Sequence, residues 1–242
     1  MRALSASEII GAWERGIGRH PVDQALVLLS AACPSLAPEQ LAAFTIGHRD
    51  ACLLRLREGI FGPGASSTAR CPHCSEALEF TVRTTDLVAD PPDRGVRYEL
   101  VEGGLALKFR LPDSTDLRAI VACPNVVAAR RLLRDRCVLE VSRDGTENAS
   151  DALSEQETAQ LASLVAQCDP LADITLDLTC AVCGQGWRVA FDIASFLWHE
   201  INALAKRLLG EVHTLARFYG WSETDILALS PARRNYYLEQ AS

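Results

Sequence analysis

Apolar residues recur at three- and four-residue steps over most of this chain, and at two-residue steps in a few short runs. The first spacing marks helices with one buried stripe, the second marks strands. Ile9, Ile10, Trp13 and Ile17 predict a first helix, capped by Ser5 or Ser7. Gly16, Gly18 and His20-Pro21 end it, and Pro21 opens a second helix carrying Val22, Ala25, Leu26, Leu28 and Leu29. A third helix is expected from Pro38-Glu39 to about Glu58, stopped by Phe61-Gly62-Pro63-Gly64. Ala65 to Ala69 then reads as a link of small residues.

The two-residue period appears in Ala77-Leu78-Glu79-Phe80-Thr81-Val82, in Val96 to Leu100 and in Leu105 to Leu111. Glu102-Gly103-Gly104 joins the last two as a hairpin. Asp90-Pro91-Pro92-Asp93 separates the first run from that hairpin. Helices follow from Ser114, its expected cap, and from Pro124-Asn125. Val138 to Val141 suits a short strand, and 142–152 a polar, mobile loop. Ser154 with Glu157 forms a capping box for a helix ending near Cys168-Asp169-Pro170. Ile174 to Leu178 and Trp187 to Phe191 alternate again.

The strongest pattern is the last. Leu197, Ile201, Leu204, Leu208, Val212, Leu215 and Tyr219 form one stripe on a helix starting at Asp192 or Ser195 and running roughly 37 Å. Gly220 suits its C-terminal cap. Ser222 and Ser230-Pro231 start two short helices. The fold class expected is α+β. Residues 1–64 form a helical front, and 65–90 with 172–193 a split ribbon. An insert of hairpin and helices fills 91–171, and 194–242 hold the long helix and the short ones.

The 242 residues, 48% of them hydrophobic, suffice for a substantial core in a soluble protein. Met1-Arg2-Ala3-Leu4-Ser5 lacks the apolar stretch of a signal peptide, and no apolar run is long enough to span a membrane. Nine cysteines include five that stand singly (Cys33, Cys52, Cys123, Cys137 and Cys168), as small hydrophobes do in a reducing cytoplasm. The net charge of −7 argues against binding nucleic-acid phosphates. Arg130, Arg131, Arg134 and Arg136 share one helix, and a solvated face explains them better than a nucleic-acid site, which would interleave aromatics.

Chemistry concentrates in two knuckles, Cys71-Pro72-His73-Cys74 and Cys180-Ala181-Val182-Cys183. Each adjoins a strand pattern. Cys71, Cys74, Cys180 and Cys183 are therefore expected to share one structural Zn²⁺. Two unrelated thiol pairs are the plain alternative. A redox pair would sit at a helix N-terminus, which neither does. His73 reads as an exposed turn residue. A four-thiolate site has no open position for water, so it predicts structure and no catalysis. His199-Glu200 lacks the second histidine of a metalloprotease helix, because position 203 is alanine. No phosphate loop, dinucleotide fingerprint or nucleophile elbow is present, and no catalytic residue is assigned. Trp221, Arg233, Arg234, Tyr236 and Tyr237 are candidate partner-binding residues, since aromatics and arginine are enriched at interfaces.

Phe191-Asp192-Ile193-Ala194-Ser195-Phe196-Leu197-Trp198, Leu208 to Ala216, Tyr219 to Leu229 and Arg233-Arg234-Asn235-Tyr236-Tyr237-Leu238 together carry a resemblance. So do Leu54 to Gly59, the first knuckle, and the segment from Arg110-Leu111-Pro112 to Cys137-Val138-Leu139. The chain resembles the T4-type baseplate proteins, or baseplate hub assembly chaperones, of contractile-tailed phages and bacterial contractile injection systems. The resemblance covers most of the chain, most specifically 187–238. It implies a non-enzymatic factor that helps build the baseplate or hub in the cytoplasm. Its partners would be baseplate, hub or spike proteins, with no small-molecule substrate and no membrane. A zinc-ribbon regulator of nucleic acid is the alternative. On either reading, Cys71→Ser or Cys180→Ser is expected to damage folding.

Overall fold

The computed structural model describes residues 2–87, 95–143, 146–147 and 153–241. The expected ribbon exit at 90–93 lies outside the described residues, as do 144–145 and 148–152 of the expected loop.

Five helices make the body: α1 (Ala6–Gly16), α2 (Pro21–Ala32), α3 (Pro38–Ala42), α4 (Ile46–Phe61) and α9 (Ile193–Tyr219). Ser5 caps α1 through a reciprocal box with Glu8, and His20 caps α2 with Pro21 in the first turn. The apolar stripes meet in one core, where Leu28, Leu29, Leu41, Leu53, Leu54, Leu197 and Ile201 are sealed from solvent. The 27 residues of α9 run about 40 Å across it. Asp192 caps its start, and Gly220, at φ 70°, turns the chain out of its end in the left-handed conformation. Ala205 takes the buried place in the stripe, and Leu204 packs beside it half-buried.

The expected single helix over 38–58 is two helices. Thr45 breaks it, accepting the His48 N–H as an N-cap and forming a β-bridge with Asp113. The Ile46 N–H donates to Pro112 O at 3.1 Å and the Gly47 N–H to Asp169 Oδ2 at 2.9 Å. Pro112, within the insert, and Asp169, near its far end, are thereby both fastened to the start of α4.

The insert has its own sheet, of order β3 (Tyr98–Glu102), β4 (Leu105–Phe109), β5 (Val138–Arg143) and β6 (Thr146–Glu147), all antiparallel. Strand β5 runs on into the stretch expected to be loop, and β6 pairs with it. Leu105, Leu107, Phe109 and Val141 bury one face against Leu161 of α8 (Glu155–Cys168). Between β4 and β5 lie α6 (Ser114–Val121) and α7 (Val126–Cys137). The cap of α6 is Asp113, not Ser114, and Asp116 returns a bond to the Asp113 N–H. One carboxylate oxygen, Asp113 Oδ1, accepts both the Thr115 and the Asp116 N–H.

Two hairpins remain. One is β1 (Gly64–Arg70) with β2 (Ala77–Arg83), followed by the single turn α5 (Thr84–Leu87). The other is β7 (Thr175–Thr179) with β8 (Gly186–Ala190), entered through a short 3₁₀ turn at Pro170–Asp173. The expected small-residue link is thus a full strand, β1. It lacks an apolar alternation because most of it faces solvent.

Candidate metal centre

Each knuckle is the turn of one hairpin, and the two turns are built alike. In the first, the Cys71 N–H donates to Glu76 O and the Ser75 N–H donates to Cys71 O, both at 2.9 Å. In the second, Cys180 with Gln185 O and Gly184 with Cys180 O repeat the pattern at the same distances. The residue after each second cysteine has positive φ: Ser75 at 63° and Gly184 at 72°. That left-handed residue closes the loop so that both thiols of a knuckle point the same way.

The hairpins meet turn to turn. All four sulfurs lie within 4.8 Å of one another, with Cys71 to Cys183 at 3.7 Å and Cys74 to Cys180 at 3.6 Å. A disulfide would need about 2.05 Å, and these four thiols are free. Four thiolates at about 2.3 Å around a tetrahedral ion would stand roughly 3.8 Å apart. The cluster therefore fits such an ion by both spacing and donor chemistry. Cys71 and Cys180 are buried, while Cys74 and Cys183 reach the surface. The Cys183 N–H points at the Cys180 sulfur, and bonds from it and from Val182 bring that thiol down to about 7. His73 is exposed and lies outside the cluster.

What surrounds the sulfurs is as informative. Among the strand and knuckle residues of the two hairpins, only Ala65, Cys71 and Cys180 are buried. The hairpins have no hydrophobic core, and an isolated two-stranded hairpin is marginal in water. The thiol cluster is the contact that joins them.

The remaining candidates fall apart into two kinds. Trp221 stacks on Tyr219 at 4.5 Å, and Tyr237 meets both edge-on. With Val212, Leu215 and Ile226 they form a third core beneath α10 (Glu223–Ala228) and α11 (Pro231–Gln240). Arg234 is buried too, its Nε donating to Glu211 at 2.6 Å. Arg233 and Tyr236 stand in solvent, and so does Phe218, which lies beside Tyr219 and was not singled out from the sequence. Its signal was faint, since one aromatic off the main stripe of a long helix carries no pattern. Two of the four arginines of α7 are engaged closely, Arg134 with Asp135 and Arg136 with Asp116, while Arg131 is exposed and reaches Asp135 only at 3.8 Å. His199 bonds Ser195 O of its own helix, with no second histidine near.

A family model described as T4 bacteriophage base plate protein matches residues 22–198. The chain belongs to that family. No curated protein and no solved structure gives a significant match to it. The matched span takes in α2, α4, both knuckles, the insert and the start of α9. The resemblance read in 199–238 lies beyond that span, so membership rests on the body, ribbon and insert. In this base plate family member both cysteine knuckles lie within the matched region. Among the described residues, no helix is long and apolar enough to cross a membrane.

Proposed function

We propose that this base plate family protein is a non-enzymatic assembly factor or adaptor for the baseplate or hub of a contractile injection system. On this reading it works in the cytoplasm, binds baseplate, hub or spike proteins, and carries one structural Zn²⁺ on Cys71, Cys74, Cys180 and Cys183. The observation that carries the proposal is a closed four-sulfur cluster inside a chain of this family. Four thiolates complete a tetrahedral shell and leave no position for a reacting water. The cluster is then a clasp, joining 65–90 to 172–193 as one split ribbon with 91–171 inserted between them. The ion would supply only cross-linking, and the knuckle backbone presents the sulfurs. Arg134 and Arg136 of α7 are spent on carboxylates, which does not favour the nucleic-acid alternative.

The partner surface we assign is the outer side of the C-terminal aromatic group, where Arg233, Tyr236 and Phe218 are exposed over the packed Trp221 and Tyr237. Because Arg234 and Tyr237 hold this region together, point substitutions test it better than truncation. Co-expression with candidate hub and spike proteins, followed by pull-down, should recover a complex with the native chain. Arg233→Ala with Tyr236→Ala should weaken it. If no baseplate, hub or spike component is captured by the folded protein, the assembly role fails. Metal analysis should find about one zinc per chain, and well-folded protein without zinc would refute the clasp.

A further inference from the structure

An open cleft of about 420 Å³ lies where the helical body, the insert and the second hairpin converge. It is distinct from the cysteine cluster and from the C-terminal aromatics. One wall is apolar, made by Ile120 and Val121 at the end of α6 and Phe191 ahead of α9. Val121 is 51% exposed, more than an aliphatic side chain in a finished core.

The polar side of the cleft is unbalanced in two ways. Arg49 lines it with a side chain only 6% exposed. Its Nε donates to Asp50 Oδ1 at 2.7 Å, but its Nη1 is buried with no hydrogen-bond partner among the described residues. A buried donor without an acceptor is costly, and native structures rarely leave one unmet. At the same time Asp173 and Asp192 stand exposed in the lining. With Asp50 they place three carboxylates against one guanidinium, Asp192 also capping α9 and Asp173 standing exposed.

An occupant must therefore satisfy three demands together. It must offer a neutral acceptor to Arg49, since a free anion would meet the surrounding carboxylates. It must cover the wall of Ile120, Val121 and Phe191. It must bring positive charge to the rim. A polypeptide segment does all three, with a main-chain carbonyl, an apolar side chain and an adjacent Lys or Arg. We infer that this cleft docks an extended segment of a partner polypeptide carrying an apolar residue flanked by Lys or Arg. The chain's own charge of −7 favours encounter with such a basic segment.

The test uses the whole protein and three capped peptides: Gly-Arg-Leu-Arg-Gly, Gly-Gln-Leu-Gln-Gly and Gly-Glu-Leu-Glu-Gly. Methyl resonances of Ile120, Val121 and Ile174 are followed by NMR as each peptide is added to millimolar concentration. The basic peptide should shift them, and the acidic peptide should bind at least about tenfold more weakly. Asp173→Lys and Val121→Lys change exposed side chains, and a thermal melt confirms that each folds. Either should weaken the basic peptide about tenfold, and added salt should weaken it further. Absence of shifts with the basic peptide would overturn the inference. Equal binding of the acidic peptide, or unchanged binding to both variants, would do the same. The outcome does not depend on the baseplate role, because no baseplate component enters the experiment.

Discussion

Asp116 offers the sharpest test of how the insert is held. Its side chain is fully buried. Oδ1 accepts from Arg110 Nη2 at 2.8 Å and Arg136 Nε at 2.7 Å. Oδ2 accepts from Arg110 Nη1 at 2.6 Å and the Asp113 N–H at 2.9 Å. Asp116→Asn keeps the shape but turns one acceptor into a donor. Whichever oxygen is replaced, two N–H groups then face an NH₂, and the Asp116 charge is lost to both arginines, leaving Arg110 only Asp113 at 3.7 Å. Breaking a buried pair costs about 3–5 kcal/mol, and the partial exposure of Arg110 and Arg136 places the value near the lower end, about 3 kcal/mol. At this chain length each kcal/mol is worth about 2–4 °C, so the melting midpoint should fall roughly 6–12 °C. Acid should erase the difference. Burial pushes the Asp116 carboxyl up, but Arg110, the Asp113 N–H and Arg136 outweigh it and hold it below the ordinary range. A depressed carboxylate contributes stability above its unfolded pKa of about 3.9 and loses it as pH falls through the folded value. The gap between native and variant protein should be full at pH 7 and close below about pH 4. Scanning calorimetry across this range decides the matter, with Asp135→Asn as the control for exposed pairs. A shift under about 2 °C at pH 7, or a gap that widens in acid, would refute this account of the cluster.

Gly47→Ala would drive a Cβ into the Asp169 carboxylate and within 3.1 Å of Leu171 Cβ, where the insert is fastened to α4. A loss of about 1–3 kcal/mol is expected in chemical denaturation. Arg57 is 3% exposed, grips Glu200 with two nitrogens at 2.9–3.0 Å and donates to Gly62 O. Arg57→Leu and Glu200→Gln should each cost about 3 kcal/mol in the same assay, the second because it leaves the buried guanidinium without its counter-charge. The two knuckles should answer glycine in opposite ways. Ser75→Gly relieves a left-handed serine and should leave stability unchanged or raise it by up to about 1 kcal/mol, while Gly184→Ala should lower it by about 1 kcal/mol, read as melting shifts.

What the sequence showed plainly were features set by near neighbours. A serine cap on α1, the capping box at Ser154, the serine caps of α10 and α11, Gly220 and the stripe of α9 depend on residues within a turn or two. They appear where the pattern puts them. The gathering of the knuckles was legible for another reason. Thiol chemistry leaves few uses for two C-x-x-C turns beside strands. The misses share a cause. Gly47 alone hints at the break at Thr45, whose reasons are Pro112, Asp113 and Asp169, far along the chain. Strand β1 carries almost no apolar signal because the hairpin buries little beyond Ala65. The cleft is assembled from short pieces between His20 and Ala194, none of which looks unusual alone. The packing of Trp221 and Tyr237, half-buried, and of Arg234, buried, beneath α10 and α11 likewise depends on a chain reversal that no local pattern announces.

The clasp also has a direction of cause that can be tested. The chain between Cys74 and Cys180 is roughly 100 residues long, and closing such a loop costs on the order of 4 kcal/mol in chain entropy. A structural zinc supplies about 10–16 kcal/mol, enough to close it unaided. Much of that closure is already made by the body. Arg57 near the end of α4 grips Glu200 near the start of α9, so the chain entering β1 and the chain leaving β8 are held together without metal. The body core of Leu28, Leu53, Leu197 and Ile201 contains no residue of the hairpin strands. Metal loss should therefore release the two hairpins and leave the helices standing. Chelation is expected to speed amide exchange in 64–83 and 175–190 while far-UV helical circular dichroism holds. Cys71→Ser should behave as the chelated protein does. If chelation instead collapses the helical signal together with the ribbon, the clasp is part of the body's folding unit, and a graft onto a self-sufficient core is the wrong description.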